Sequence, residues 1–227
     1  MKTTRLLNLI ATAFILVGET VLAQTVTNAL VSTATNKPPA LIEDTGEKTW
    51  SFSASAYTYF VPEDRDYVQP TFTADRGWLH LEARYHYEAL DTGSAWVGYN
   101  FGGGEKLAWE FTPMLGGVFG DTTGVAPGYK GSLSWWKLEL YSEGEYLFDT
   151  RNSSDSFFYN WSELTLAPAH WVRFGLVSQR TRAYASDREI QRGVLAGVVF
   201  KHVDLKAIVF NPDESKPTIV MAIGLTF

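Results

Sequence analysis

The sequence predicts an all-β fold of antiparallel strands, on three observations. Beyond Trp50, apolar and polar residues alternate with a period of two in segment after segment, the repeat of a strand whose side chains point to opposite faces in turn. Clusters of Gly, Asp, Asn, Ser and Pro separate the segments, as the turns between antiparallel strands require. The 227 residues are 45% hydrophobic and 15% aromatic with only 19% charged, which suits an ordered, strand-rich chain and excludes a disordered one.

At the N-terminus, Lys2 and Arg5 precede a mostly apolar run from Leu6 to Gly18, and Val21-Leu22-Ala23 has the small or aliphatic residues of a cleavage site before Gln24. Residues 1–23 read as a secretory signal peptide, which implies export through the Sec pathway. The run is too short to cross a bilayer as a helix, and no other stretch reaches about 18 consecutive apolar residues. Residues 24–48 are rich in Thr, Asn, Ala and Pro and show no periodicity, the pattern of a flexible leader. From there the strand pattern places segments at 49–61, 67–75, 78–90, 95–102, 106–119, 125–134, 136–148, 157–167, 171–182, 189–200, 203–210 and 217–227.

The third segment alternates most cleanly. Leu79, Leu81, Ala83, Tyr85, Tyr87 and Ala89 share one face, while His80, Glu82, Arg84, His86 and Glu88 share the other. In the last segment Ile219, Met221, Ile223, Leu225 and Phe227 lie together, and the sequence ends on that aromatic residue. The signal segment, the alternating strands, the abundance of aromatics, the absence of cysteine and the closing run from Pro217 to Phe227 resemble a Gram-negative outer-membrane β-barrel. That resemblance implies an antiparallel transmembrane barrel over 49–227, a periplasmic leader over 24–48, outer-membrane lipid as surroundings, and a C-terminal strand ending at Phe227 that is read by the barrel-assembly machinery. Length and plan also resemble the small twelve-stranded acidic-sugar porins, although no specific motif of theirs matches.

Bacterial single-chain barrels have an even number of strands, long outer loops and short inner turns. The map gives twelve strands, with the longer connections at 63–66, 91–94, 121–124, 149–156, 183–188 and 211–216 on one side. The shorter ones, at 75–77, 103–105, 168–170 and 201–202, lie on the other. Ser134 to Lys137 holds no Gly, Pro, Asn or Asp; merging the segments on either side of it lowers the count to ten. Trp50, Trp96, Trp109, Trp135 and Trp171 fall near strand ends and are expected in interfacial girdles.

With apolar faces toward lipid, the polar faces line the interior. Glu82, Arg84, Glu110, Glu139, Glu143, Glu145, Glu163, Arg173, Arg192, Asp204 and Lys206 are the interior candidates, with Glu143 and Glu145 facing a basic stretch of Arg173, Arg180 and Arg182. Buried charges either pair into a network or stand in water. Two readings follow: a constriction that orients small polar or charged solutes in a passive channel, and a salt-bridged interior in a structural or partner-binding barrel. A formal charge of −6 argues against nucleic-acid binding.

A third reading is an outer-membrane lipid-modifying enzyme, which needs a hydroxyl within reach of a base. None of His80, His86, His170 and His202 is followed two residues later by Ser, so no catalytic residue is assigned and the protein is read as a non-enzyme. His80 and His86 are roughly 20 Å apart along a strand, too far to share a metal ion. With zero cysteines there is no thiolate site either, and neither a metal nor another cofactor is implied. Gly102-Gly103-Gly104 lacks a following helix and reads as a turn.

Overall fold

The alternation seen in the sequence becomes a closed wall. In the computed structural model the described residues are 49–183 and 189–227, with side chains described for all of these but 182, 183 and 189. The signal segment and the leader lie outside them. Twelve antiparallel strands form the barrel: β1 (Ser51–Phe60), β2 (Tyr67–Arg76), β3 (Leu79–Tyr85), β4 (Thr92–Tyr99, resuming at Phe101–Gly103), β5 (Leu107–Gly120) and β6 (Gly124–Trp135). The second half comprises β7 (Leu138–Asp149), β8 (Phe157–Ala169), β9 (Val172–Ala183), β10 (Glu189–Phe200), β11 (Val203–Phe210) and β12 (Thr218–Thr226). A short 3-10 turn, Ser153–Asp155, sits in the β7–β8 loop.

Each strand pairs with the next, and β1 pairs with β12 from Ser53↔Thr226 to Phe60↔Ile219. Closure leaves no unpaired edge, the condition for strands to sit in hydrocarbon. Phe227 completes the seam: its N–H donates to the Phe52 carbonyl and the Phe52 N–H donates back, both at 2.9 Å. Its ring stacks on Phe52 at 6.1 Å.

The outer wall is apolar. Leu133, Leu140, Leu164, Leu176 and Val194 form one exposed row in register across β6 to β10. Trp50, Trp78, Trp109, Trp135, Trp136 and Trp171 are all exposed at the short-turn end, a girdle of the kind that anchors barrels at the membrane interface. Trp96 departs from that expectation. It points inward at 4% exposure, in step with Ser94 and Gly98, and its ring fits there because its cross-strand partner is Gly116, where a side chain would overlap it.

Two further differences concern turns. At Ser134–Lys137 the chain does reverse, since Trp136 takes a left-handed φ of 55°. The Lys137 carbonyl then accepts from Ala167 N at 2.9 Å; two strands result where merging was an option. The third segment ends early, at Tyr85. His86 has φ 59° and Asp91 has φ 54°, which breaks the period of two and turns Tyr87 inward instead of toward lipid. Residues 92–94, expected in a loop, begin β4 instead.

Candidate functional site

The polar faces meet inside the barrel in a belt of paired charges. It starts on β2 and β3, where alternation sends Asp75, His80, Glu82 and Arg84 inward. His80 Nδ1 lies 2.8 Å from Asp75 and its Nε2 lies 3.0 Å from Glu82. Asn100 Nδ2 donates to Asp75 at 2.7 Å and Thr112 Oγ1 donates to Asn100 at 2.7 Å, extending the chain of contacts. Arg84 Nε donates to Glu82 at 2.6 Å, and its Nη1 crosses the lumen to Glu145 on β7 at 2.8 Å. Lys130 of β6 reaches Glu82 at 2.5 Å. Tyr87 and Tyr141 both donate to Glu143. The Arg84 guanidinium lies 4.2 Å from the Tyr87 ring centroid and 4.5 Å from that of Trp96, a cation–π enclosure away from water.

A second group stands on the facing strands. Lys206 of β11 binds Glu163 of β8 at 2.8 and 3.0 Å and lies 3.3 Å from Tyr57 Oη. Trp161 Nε1 donates to Glu163 at 3.0 Å. Toward the short-turn end Arg173 pairs with Asp204. Glu110 is exposed at that end.

Above the belt, on the long-loop side, the interior turns apolar. Tyr59, Tyr159, Trp161, Ile208, Phe210 and Val220 form one buried cluster, and Trp96, Met114, Val118, Ala126 and Leu147 form another. Rings from distant strands touch: Tyr57 meets Trp161 at 6.0 Å, and Tyr87 meets Tyr159 at 5.3 Å. The β3–β4 connection thus folds into the barrel, and Glu88 within it accepts from Ser94 Oγ at 2.5 Å. Side chains from opposite walls form a septum across the lumen.

The septum is tightly paired but not saturated. Among the described residues, Glu88 Oε2, Glu145 Oε1, Arg173 Nε and Asp204 Oδ1 find no hydrogen-bond partner though buried, and buried polar atoms ordinarily have one. Breaking a buried pair on one side costs about 3–5 kcal/mol because the other charge is left uncompensated. Among the described residues no trio of His, Asp and Glu is placed to hold a metal ion. His86 instead lies 3.7 Å from Asp91, and His170 and His202 sit in short turns.

Of the residues singled out from the sequence, Glu82, Arg84, Glu143, Glu145, Glu163, Arg173, Asp204 and Lys206 meet in the interior, and Glu110 and Glu139 occupy inward positions. Arg180 and Arg192 do not. Both lie on the outward face of their strands, in step with Phe174 and Leu176 on β9 and with Val194 and Val198 on β10. Arg180 rests 5.6 Å over the Phe158 ring. The side chain of Arg182 lies outside those described. Glu143 and Glu145 therefore face Tyr87, Tyr141 and Arg84, not a basic stretch on β9. Sequence reasoning missed His80's two carboxylate partners, Lys130, Trp96 and the inward Tyr87; only Lys130 had a visible signal, its parity with Ala126 and Gly128 on β6.

A closed antiparallel barrel with an apolar outer wall, an aromatic girdle and a mixed-charge interior defines a β-barrel built to cross a membrane with its strands. The fold is similar to that of a solved structure described as "KdgM porin", with a TM-score of 0.57 and 10% sequence identity over 77% of this chain and 99% of that one. At that identity the likeness is one of fold. No protein-family model matches the chain, and no curated protein matches it in sequence.

Proposed function

We propose that the barrel is a narrow passive channel for small polar or charged solutes. The observation that carries this is the septum's chemistry at mid-height: Arg84, Lys130 and Lys206 set against Glu82, Glu143, Glu145 and Glu163. Filling a twelve-stranded interior for stability alone is better served by apolar residues, since burying ion pairs often stabilises less than apolar packing of equal volume. Mixed charge in a confined lumen holds and orients polar solutes. The porin named above shares the fold and supports the reading. A second reading, a non-conducting structural barrel, is favoured by the apolar clusters that close the long-loop half.

Liposome swelling separates the two. Vesicles carrying folded protein, confirmed by heat-modifiable gel mobility, are expected to swell in small sugars and amino acids, with rates falling steeply as solute size rises. Folded barrels whose vesicles behave like protein-free ones overturn the channel reading.

A further inference from the structure

The outer wall is apolar at nearly every described position, with one exception that spans five adjacent strands. Gly131, Ser142, Ser162, Ser178 and Arg192 form a row in register from β6 to β10, all pointing outward. Directly above it run Tyr129, Gly144, Asn160 and Arg180. The polar members are joined: Asn160 Nδ2 donates to the Glu143 carbonyl at 2.9 Å and lies 3.1 Å from Tyr129 Oη, and the Ser142 and Ser162 hydroxyls are 3.1 Å apart. Elsewhere, among the described residues, only Thr58 and the strand-terminal Arg76 interrupt the outward apolar faces. Polar groups facing hydrocarbon are costly, and small residues with hydroxyl and amide groups are what lets two membrane-embedded surfaces approach and bond.

We propose that this band is the contact between two copies of the chain, related by a two-fold axis along the membrane normal that passes between β7 and β8. The charges favour a second copy as the occupant. Arg180 and Arg192 lie on the β9–β10 edge of the band with no described carboxylate in ion-pair range. The Arg180 Nε is buried without a partner among the described residues. At the opposite edge, the connection between β5 and β6 carries the exposed Asp121, beside which Arg151 is turned back onto the Gly120 carbonyl at 3.2 Å. A two-fold rotation about the Ser142–Ser162 pair brings each basic edge against the other copy's acidic edge, and each Tyr129 toward the other's arginines. It also keeps like charges apart, as a self-complementary contact requires.

The chain has no cysteine, so single cysteines report proximity directly. Ser162→Cys, folded in outer membranes or vesicles and oxidised, is expected to run mostly as a disulfide-linked dimer. Val97→Cys, on the far wall, is expected to stay monomeric. Asn160→Leu combined with Ser162→Leu extends the leucine row beside it, so the barrel should still fold while the dimer is lost in native mass spectrometry. Equal cross-linking at Ser162→Cys and Val97→Cys, with a monomeric mass for the unmodified protein, overturns the proposal. A monomer that retains an anionic lipid, and loses it in Arg180→Leu combined with Arg192→Leu, overturns it too and assigns the band to lipid.

Discussion

Replacing Leu115 by Arg tests the facing of the wall and its depth together. Leu115 is 53% exposed on the outward face of β5, between Val97 and Pro127. At about 3.3 Å per residue and a tilt of about 40°, the strand rises about 33 Å, which puts Leu115 about 4 Å from mid-height and Leu107, its first residue, about 16 Å away. The apolar band of such barrels is about 25 Å tall, so the first position lies inside it and the second beyond it. An arginine costs about 2–4 kcal/mol near the midplane and about 0–1 near the interface. Leu115→Arg is therefore expected to lower the folding equilibrium roughly thirty- to thousandfold and Leu107→Arg by less than roughly tenfold. Urea titration of folding into lipid vesicles, followed by tryptophan fluorescence, measures both. Equal costs at the two sites refute the placement of β5 in the membrane, and a neutral Leu115→Arg refutes its facing.

Other substitutions probe the interior and its assembly. Arg84→Met removes the cation shared by Glu82 and Glu145 and is expected to cost about 3–5 kcal/mol in the same titration; a neutral result means water already screens the belt. Gly116→Ala puts a methyl group into the Trp96 ring and is expected to cost about 1–3 kcal/mol, with most of the loss recovered by adding Trp96→Leu; additive costs in that double-mutant cycle deny the contact. Arg173→Glu faces Asp204 with a like charge, so the ion selectivity of a conducting barrel, read from reversal potentials in a salt gradient, is expected to shift toward cations. Phe227→Ala keeps the main-chain pairing with Phe52 but removes the ring stacked on it, and is expected to lower refolding into vesicles, read from heat-modifiable gel mobility; unchanged refolding denies the ring a part in closing the seam.

Much of the wall was legible because a period of two fixes both the strand and the face. The lumen positions Glu82, Arg84, Glu145, Glu163 and Lys206 followed from it, and so did the long and short ends. The same pattern already placed Arg180 and Arg192 outward, in step with Leu176 and Val194; assigning them inside put charge above periodicity. Other features had no local sign. His86 breaks β3 by adopting a left-handed backbone that nothing in the residue demands, and Tyr87 turns inward as a result. Trp96 keeps the inward parity of Ser94 and Gly98, but the room its ring takes depends on Gly116 facing it from the next strand, a fact of register. The pairs Arg84–Glu145 and Lys206–Glu163 join strands separated by three and by two others, so closure and shear decide them.

Single-channel conductance in a planar bilayer tests the central claim most directly, comparing the unmodified protein with Tyr87→Ala, which removes the bond to Glu143 and the ring packed on Arg84 and Tyr159. A lumen narrowed by this septum is expected to give small, discrete, ohmic steps that become larger in Tyr87→Ala. Folded barrels that stay silent in both forms would contradict it.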